Sequence, residues 1–229
     1  MRTLVILMSI LAGVTVTNAN PVMAPPPPYV LSAENVTINV YRSESKVEGV
    51  YTLQAPQRRP ARIVDIRFPV VFPTNSIVMT VYPVASSEQL KHVAQQLMDR
   101  VKPVGSADGQ EFTIRTTAGE TSYYNPDIQR HMPQALVCQF FTGRMPVAPG
   151  KKQVNLHLSY VQPHLPGNIS AYLPILQGDI VKKNYLITFR AQEGVGFTPL
   201  GDYEIVGKAS DTVLSVRPAD RQLLQMQVK

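Results

Sequence analysis

The chain has 229 residues, of which 44% are hydrophobic and 17% charged, and 22 Lys and Arg against 16 Asp and Glu give it a formal net charge of +6. This balance predicts a folded globular protein, because a disordered chain would have fewer apolar residues and more charge. It excludes collagen, which needs a glycine at every third position, whereas only 13 glycines are present. One or two domains with ordinary hydrophobic cores are expected at this length.

The first 19 residues have the pattern of a secretory signal peptide. Arg2 gives a positive start, an uncharged run of 13 residues covers 4–16, and small residues end at Ala19. That run is too short to cross a bilayer, which takes about 20 apolar residues. We therefore expect cleavage after Ala19 and a secreted or periplasmic mature protein with no transmembrane segment. Because Arg2 is the only charged residue removed, the net charge would change from +6 to +5.

Residues 20–33 are predicted to be a Pro-rich leader, since the four prolines at 25–28 favour an extended polyproline conformation. Globular patterning begins at Glu34. Apolar residues alternate with polar ones through residues 34–41 and again through 46–53, which is typical of half-buried strands. A short polar link joins the two runs, so they are predicted to form a β-hairpin.

Further strands are predicted at 62–68 and 76–82. Between them, Pro69 and Pro73 predict an interruption of regular strand pairing, because proline cannot donate a ladder hydrogen bond.

One amphipathic helix is predicted between Ser86 and Val101. Its apolar stripe has helical spacing and consists of Leu90, Val93, Ala94, Leu97, Met98 and Val101. Ser86 and Gln89 form a capping-box pattern at its start, and Pro103 ends it. We expect the stripe to pack on a sheet.

Strand patterns continue along the rest of the chain, at 110–116, 121–124, 134–142, 151–161, 169–176, 180–190, 203–206, 212–217 and 222–228. The last two are predicted to pair as a hairpin around residues 218–220. About a dozen short strands predict a mainly β protein: an antiparallel immunoglobulin-like β-sandwich over 34–229, with one amphipathic helix inserted. One large sandwich or two halves, 34–133 and 134–229, both fit the length.

Motif searches find no nucleophile elbow, metal-ligand spacing, phosphate loop or dinucleotide fingerprint. The four histidines, His92, His131, His157 and His164, are not spaced as metal ligands, so neither a metal nor a cofactor is predicted. Cys138 is the only cysteine and is predicted to be a buried core residue. The basic residues are scattered rather than clustered, which argues against binding to nucleic acid.

Aromatic side chains that could stack on a sugar ring are the remaining ligand-binding candidates. The chain has no tryptophan, so Tyr123 and Tyr124, set among small polar residues, are the candidate ligand-binding residues. Consecutive strand residues point to opposite faces, so only one of the two is expected to be exposed.

Five segments resemble uncharacterised bacterial secreted β-sandwich proteins. They are residues 34–40, 47–53, 67–69, 158–163 and 171–174, which alternate apolar residues with a few prolines and tyrosines. The resemblance implies an exported β-sandwich and brings no catalytic residues.

Three functional hypotheses follow from these patterns. The leading one is an exported non-enzymatic β-sandwich protein that binds an envelope protein or polysaccharide, or serves as an assembly component. The second is a glycan-binding module that uses Tyr123 and Tyr124. The third is a hydrolase whose two carboxylates meet only in space, within about 10 Å of each other.

Overall fold

The computed structural model describes residues 29–55, 62–74, 86–121, 129, 132–174, 185–218 and 222–229. The described residues are mainly β and contain one helix, α1 (Ser87–Val101). The strands are β1 (Val30–Val40), β2 (Glu44–Gln54), β3 (Ile63–Pro73), β4 (Val104–Ala107), β5 (Gln110–Phe112), β6 (Ile114–Thr121), β7 (Leu136–Pro146), β8 (Gln153–Pro163), β9 (Ile169–Tyr172), β10 (Tyr185–Ala191), β11 (Phe197–Pro199), β12 (Glu204–Ile205), β13 (Val213–Arg217) and β14 (Leu224–Val228).

Eight strands form the largest sheet, in the order β12-β13-β10-β1-β2-β8-β4-β5. The predicted hairpin of β1 and β2 is confirmed, with Val36 opposite Gly49, and β2 then pairs with β8 from Glu44 opposite Pro163 to Gln54 opposite Gln153. β1 and β10 run parallel, which departs from the expected antiparallel arrangement. Alternation of apolar residues reports which face is buried but not the direction of the neighbouring strand.

One face of this large sheet is buried and the other faces solvent. Val36, Ile38 and Val40 of β1 are fully buried, whereas the intervening Thr37 and Asn39 are partly exposed. The same alternation holds along β2 and β8, as the period of two predicts.

Two three-stranded sheets, β3-β7-β6 and β11-β14-β9, cover the buried face. Phe68 of β3 stacks on Tyr160 of β8 with ring centroids 5.3 Å apart. Phe189 of β10 meets Phe197 of β11 edge-on at 6.2 Å. A single hydrophobic cluster therefore includes residues of all three sheets. The large sheet contains strands from both ranges, 34–133 and 134–229, with β8 lying between β2 and β4, so the two ranges share it.

The prediction that Pro69 and Pro73 interrupt strand pairing is wrong. β3 runs through both prolines and pairs with β7, with Pro69 opposite Phe140 and Pro73 opposite Leu136. Val71 lies midway between them and turns its backbone N–H and C=O to the side chain of Gln162, away from β7. Residues 69 and 73 share this orientation, so the missing proline N–H groups would have pointed to the edge of the sheet.

The predicted hairpin of the last two strands is also wrong. β13 pairs with β10 and β12 in the large sheet, whereas β14 pairs with β11 and β9 in a small one. The intervening turn residues, of which 219–221 lie outside the described residues, show that the chain changes direction but not which sheet it enters.

Helix α1 confirms the predicted amphipathic helix. Ser86 is its N-cap and exchanges both hydrogen bonds of a capping box with Gln89. Lys102 ends it in the left-handed conformation, just before Pro103. Val93, Leu97 and Val101 are buried against the core. In the part of the chain that the structure describes, no helix is long and apolar enough to cross a membrane.

Several element bounds differ from the predicted ones. β1 begins at Val30, inside the predicted leader, because Leu31 is buried with the core. The predicted strand 110–116 divides at Thr113 into β5 and β6, which belong to different sheets. β4 and β11 were not predicted, since strands this short show little alternation. The predicted strand 76–82 lies outside the described residues.

Candidate functional site

Tyr123 and Tyr124, the predicted ligand-binding residues, lie outside the described residues, as does His131. His92 is exposed on α1 and His157 is exposed on the polar face of β8, as predicted. His164 is half-buried in the turn after β8.

Cys138 is fully buried in β7, as predicted, and its thiol donates a hydrogen bond to the Met132 sulfur at 3.4 Å. Burial raises the pKa of the Cys138 thiol, so the nucleophilic thiolate is disfavoured. This environment is that of a structural cysteine.

Ser45, His164 and Asn168 have the relative geometry of a nucleophile, a base and an orienting group. Ser45 Oγ lies 3.1 Å from Nε2 of His164, and the other ring nitrogen, Nδ1, lies 2.9 Å from Oδ1 of Asn168. Ser45 Oγ also lies 2.7 Å from Oγ of Ser170. Distances of this size are those of a hydrogen-bonded serine–histidine relay.

The burial of Ser45 argues against catalysis by this relay. Ser45 and Ser170 are 0% exposed, so no carbonyl carbon can approach either hydroxyl in this conformation. The relay instead joins β2 to β9, and therefore the large sheet to a small one.

Burial lowers the pKa of His164, although its hydrogen bond with Asn168 acts in the opposite direction. Sequence reasoning missed this contact, because Ser45 and His164 lie 119 residues apart.

A second polar cluster lies inside the core. Glu34 is 2% exposed, and its charge contributes to raising the pKa values of Tyr51, Tyr160 and Tyr172, for which burial is the larger cause. Glu34 stands at an inward position of β1, where alternation predicts an apolar residue. That mismatch in the strand pattern is visible in the sequence. The proximity of the three tyrosines to Glu34 is not, because it depends on the tertiary structure.

The outward face of the large sheet carries a surface groove of about 180 Å³ across β2, β8 and β4. Its lining residues are Glu48, Gly49, Val50, Val104, Ser106, His157, Leu158 and Ser159. Glu48 lies opposite Ser159, and Ser159 lies opposite Val104. In the next outward row, Val50 lies opposite His157, which lies opposite Ser106. The groove is thus a rectangle of six outward side chains on three adjacent strands.

Neighbouring side chains orient the carboxylate in this groove. Glu48 Oε1 forms an ion pair with Lys46 Nζ at 2.7 Å, and Glu48 Oε2 accepts a hydrogen bond from the Asn39 side-chain amide at 2.8 Å. Gln192 in turn donates to the Asn39 side-chain oxygen at 3.1 Å. This network orients the Glu48 carboxylate beside the positive charge of Lys46, which reduces the negative charge at the groove.

The described ranges contain no group of three or more His, Cys, Asp or Glu placed to hold a metal ion. Among the described residues that line the groove, Glu48 is the single carboxylate, and one carboxylate is too few for a calcium site in the groove.

No protein-family model and no curated protein matches this chain. Among solved structures, it is similar to a candidate nutrient-binding protein from Legionella pneumophila, with 13% identity and a TM-score of 0.47 over 91% of this chain and 70% of that one. It is also similar to an M1 zinc metallopeptidase from Deinococcus radiodurans, with 10% identity and a TM-score of 0.38 over 87% and 42%. Yeast LTA4 hydrolase gives 6% identity and a TM-score of 0.42 over 87% and 29%.

The chain therefore spans less than half the length of either enzyme. At these identities and TM-scores, we assign neither peptide hydrolysis nor nutrient binding from the likenesses.

Proposed function

We propose that this chain is an exported, non-enzymatic β-sandwich protein that binds an envelope protein or polysaccharide through the outward face of its large sheet. The groove on β2, β8 and β4 carries this proposal, because a concave shape and polar side chains without hydrogen bonds among the described residues coincide there. Export rests on the signal pattern in residues 1–19. The burial of Ser45 supports a role without catalysis by the serine–histidine relay.

We further propose that the packed sheets form an immunoglobulin-like sandwich. Aromatic contacts between the large sheet and each small sheet, one stacked and one edge-on, support this, because sandwiches bury the inner faces of two layers against each other.

Binding through the outward face is tested with the mature protein immobilised on beads and incubated with envelope extract from its source organism. Ser159→Tyr places a ring in the centre of the groove. Val213→Tyr is the matched control, because Val213 is exposed on β13 of the same sheet, four strands from β8. We expect wild type and Val213→Tyr to capture the same protein or polysaccharide in stoichiometric amounts and Ser159→Tyr to lose it.

Equal capture by all three proteins would contradict binding through this face. Turnover of ester, glycoside or peptide substrates by the purified protein would contradict the non-enzymatic role.

N-terminal sequencing of the exported protein should begin at Asn20. An exported protein that still carries residues 1–19 would contradict the signal assignment.

A further inference from the structure

We propose that the groove on β2, β8 and β4 binds one pyranose ring of a neutral polysaccharide. This inference rests on the proposed function and names the class of ligand for the same surface.

The size of the groove comes from its position on the sheet. Ser159 has the shortest side chain in its row and lies between Glu48 and Val104, which leaves a hollow over the central strand. Adjacent strands are about 4.8 Å apart, so the side chains of β2 and β4 stand about 10 Å apart, and successive outward residues are separated by about 7 Å. A hollow of these dimensions accommodates one six-membered ring with its substituents.

The lining matches the mixed surface of a sugar. Val50 and Val104 are 42% and 53% exposed, and they offer apolar walls for the C–H groups of a ring. In the described part of the chain, the side chains of Ser106, His157 and Ser159 make no hydrogen bond, so they can donate to and accept from ligand hydroxyls. A few convergent polar groups among apolar ones are typical of small-molecule sites.

The charge of the groove selects a neutral ligand. An ionised carboxylate has about four acceptor positions. Lys46 and Asn39 each engage one oxygen of Glu48, so acceptor positions remain for vicinal hydroxyls. The same carboxylate repels an acidic sugar, while the ion pair with Lys46 reduces its attraction for a cation. Neutral hexoses are therefore favoured over uronic acids and amines.

The test is an NMR titration of the isotope-labelled mature protein with the neutral hexasaccharides cellohexaose, laminarihexaose, maltohexaose and chitohexaose, and with hexagalacturonic acid as the acidic comparison. We expect at least one neutral oligosaccharide to shift the backbone amides of residues 48–50, 104–106 and 157–159. Hexagalacturonic acid should bind at least about tenfold more weakly.

Three variants separate binding from folding. Ser159→Tyr should abolish the shifts, Glu48→Gln should weaken binding about tenfold, and Val213→Tyr should bind as wild type does. Unfolding curves establish that each variant is folded. Because Glu48→Gln preserves size, the test does not depend on tolerance of the larger tyrosine.

The inference is overturned if no neutral oligosaccharide shifts these amides, or if Ser159→Tyr binds sugar as wild type does. Capture of an envelope protein that is lost in Ser159→Tyr, without any sugar shift, would overturn the sugar assignment while leaving the proposed function standing. If the wild-type protein captures no envelope partner and no sugar shifts these amides, both proposals are overturned.

Discussion

His164 shows how the fold can change the chemistry of a single side chain. The sequence places it in a Pro-flanked turn, where it could lie free in solvent or approach another group. In the structure it is half-buried and bridges Ser45 and Asn168. Burial lowers its pKa, so the folded protein favours the neutral ring.

This shift predicts a pH-dependent contribution to stability. Because the pKa is lower in the folded protein, the contribution is present above the unfolded value of about 6.5 and is lost as the pH falls below it. His164→Gln should lack this component. The stability advantage of the wild type over the variant, as free energy of unfolding, should therefore decrease when the pH is lowered from 8 to 5.5. Urea unfolding at both values measures it.

His92→Gln is the matched control, since His92 is exposed on α1 and forms its hydrogen bond with Gln96 of the same helix. It should retain the pH dependence of the wild type. A His164→Gln variant with the same pH dependence as wild type would contradict a lowered pKa of the half-buried His164 ring.

At the scale of elements, a single aromatic ring joins strands of two sheets. Phe112 of β5 lies over Gly105 of β4 and Gly143 of β7. A Cβ added at Gly105 would lie 2.6 Å from its ring, and one added at Gly143 would lie 2.7 Å away. Both glycines are thus sites where a neighbouring side chain needs the space, and not turns that need glycine's backbone freedom.

Replacing either glycine by alanine should displace the ring. We expect Gly105→Ala and Gly143→Ala each to lower the free energy of unfolding by about 1–3 kcal/mol, as overpacking does. The double variant should lose less than the sum, because both changes displace the same ring. Chemical denaturation of the three variants gives these values.

Gly196→Ala serves as control, because an added Cβ there would meet its nearest neighbour, the Asp211 carbonyl oxygen, at an ordinary 3.5 Å. It should be close to neutral. Strict additivity of Gly105→Ala and Gly143→Ala would show that the two glycines do not share the Phe112 contact.

Over the whole molecule, Gln162 links the large sheet to β3. It lies at the buried end of β8, where its amide accepts from the Val71 N–H at 3.1 Å and donates to the Val71 carbonyl at 2.7 Å. The side chain thereby takes the place of a neighbouring strand at the edge of β3, and it supplies hydrogen bonds that buried backbone groups require.

Loss of this amide should weaken the contact between the layers. Gln162→Leu leaves both backbone groups of Val71 buried without a partner and should cost about 2–3 kcal/mol of unfolding free energy. Gln153→Leu, at the exposed start of β8, should change it little. Equal effects of the two variants on the free energy of unfolding, measured by denaturant unfolding, would contradict a stabilising role of the hydrogen bonds between Gln162 and Val71.

The sequence by itself determined the local features of this protein: the β1–β2 hairpin, the alternation of β8, and the capped helix α1 with its buried stripe. These depend on periodicity and on interactions within a few residues of each other. Only the tertiary structure decided that β3 continues through Pro69 and Pro73, that β1 lies parallel to β10, and that β13 and β14 enter different sheets. Glu48, Ser159 and Val104 likewise become one groove only through strand register, because pairing between distant segments depends on which edges the whole fold leaves open.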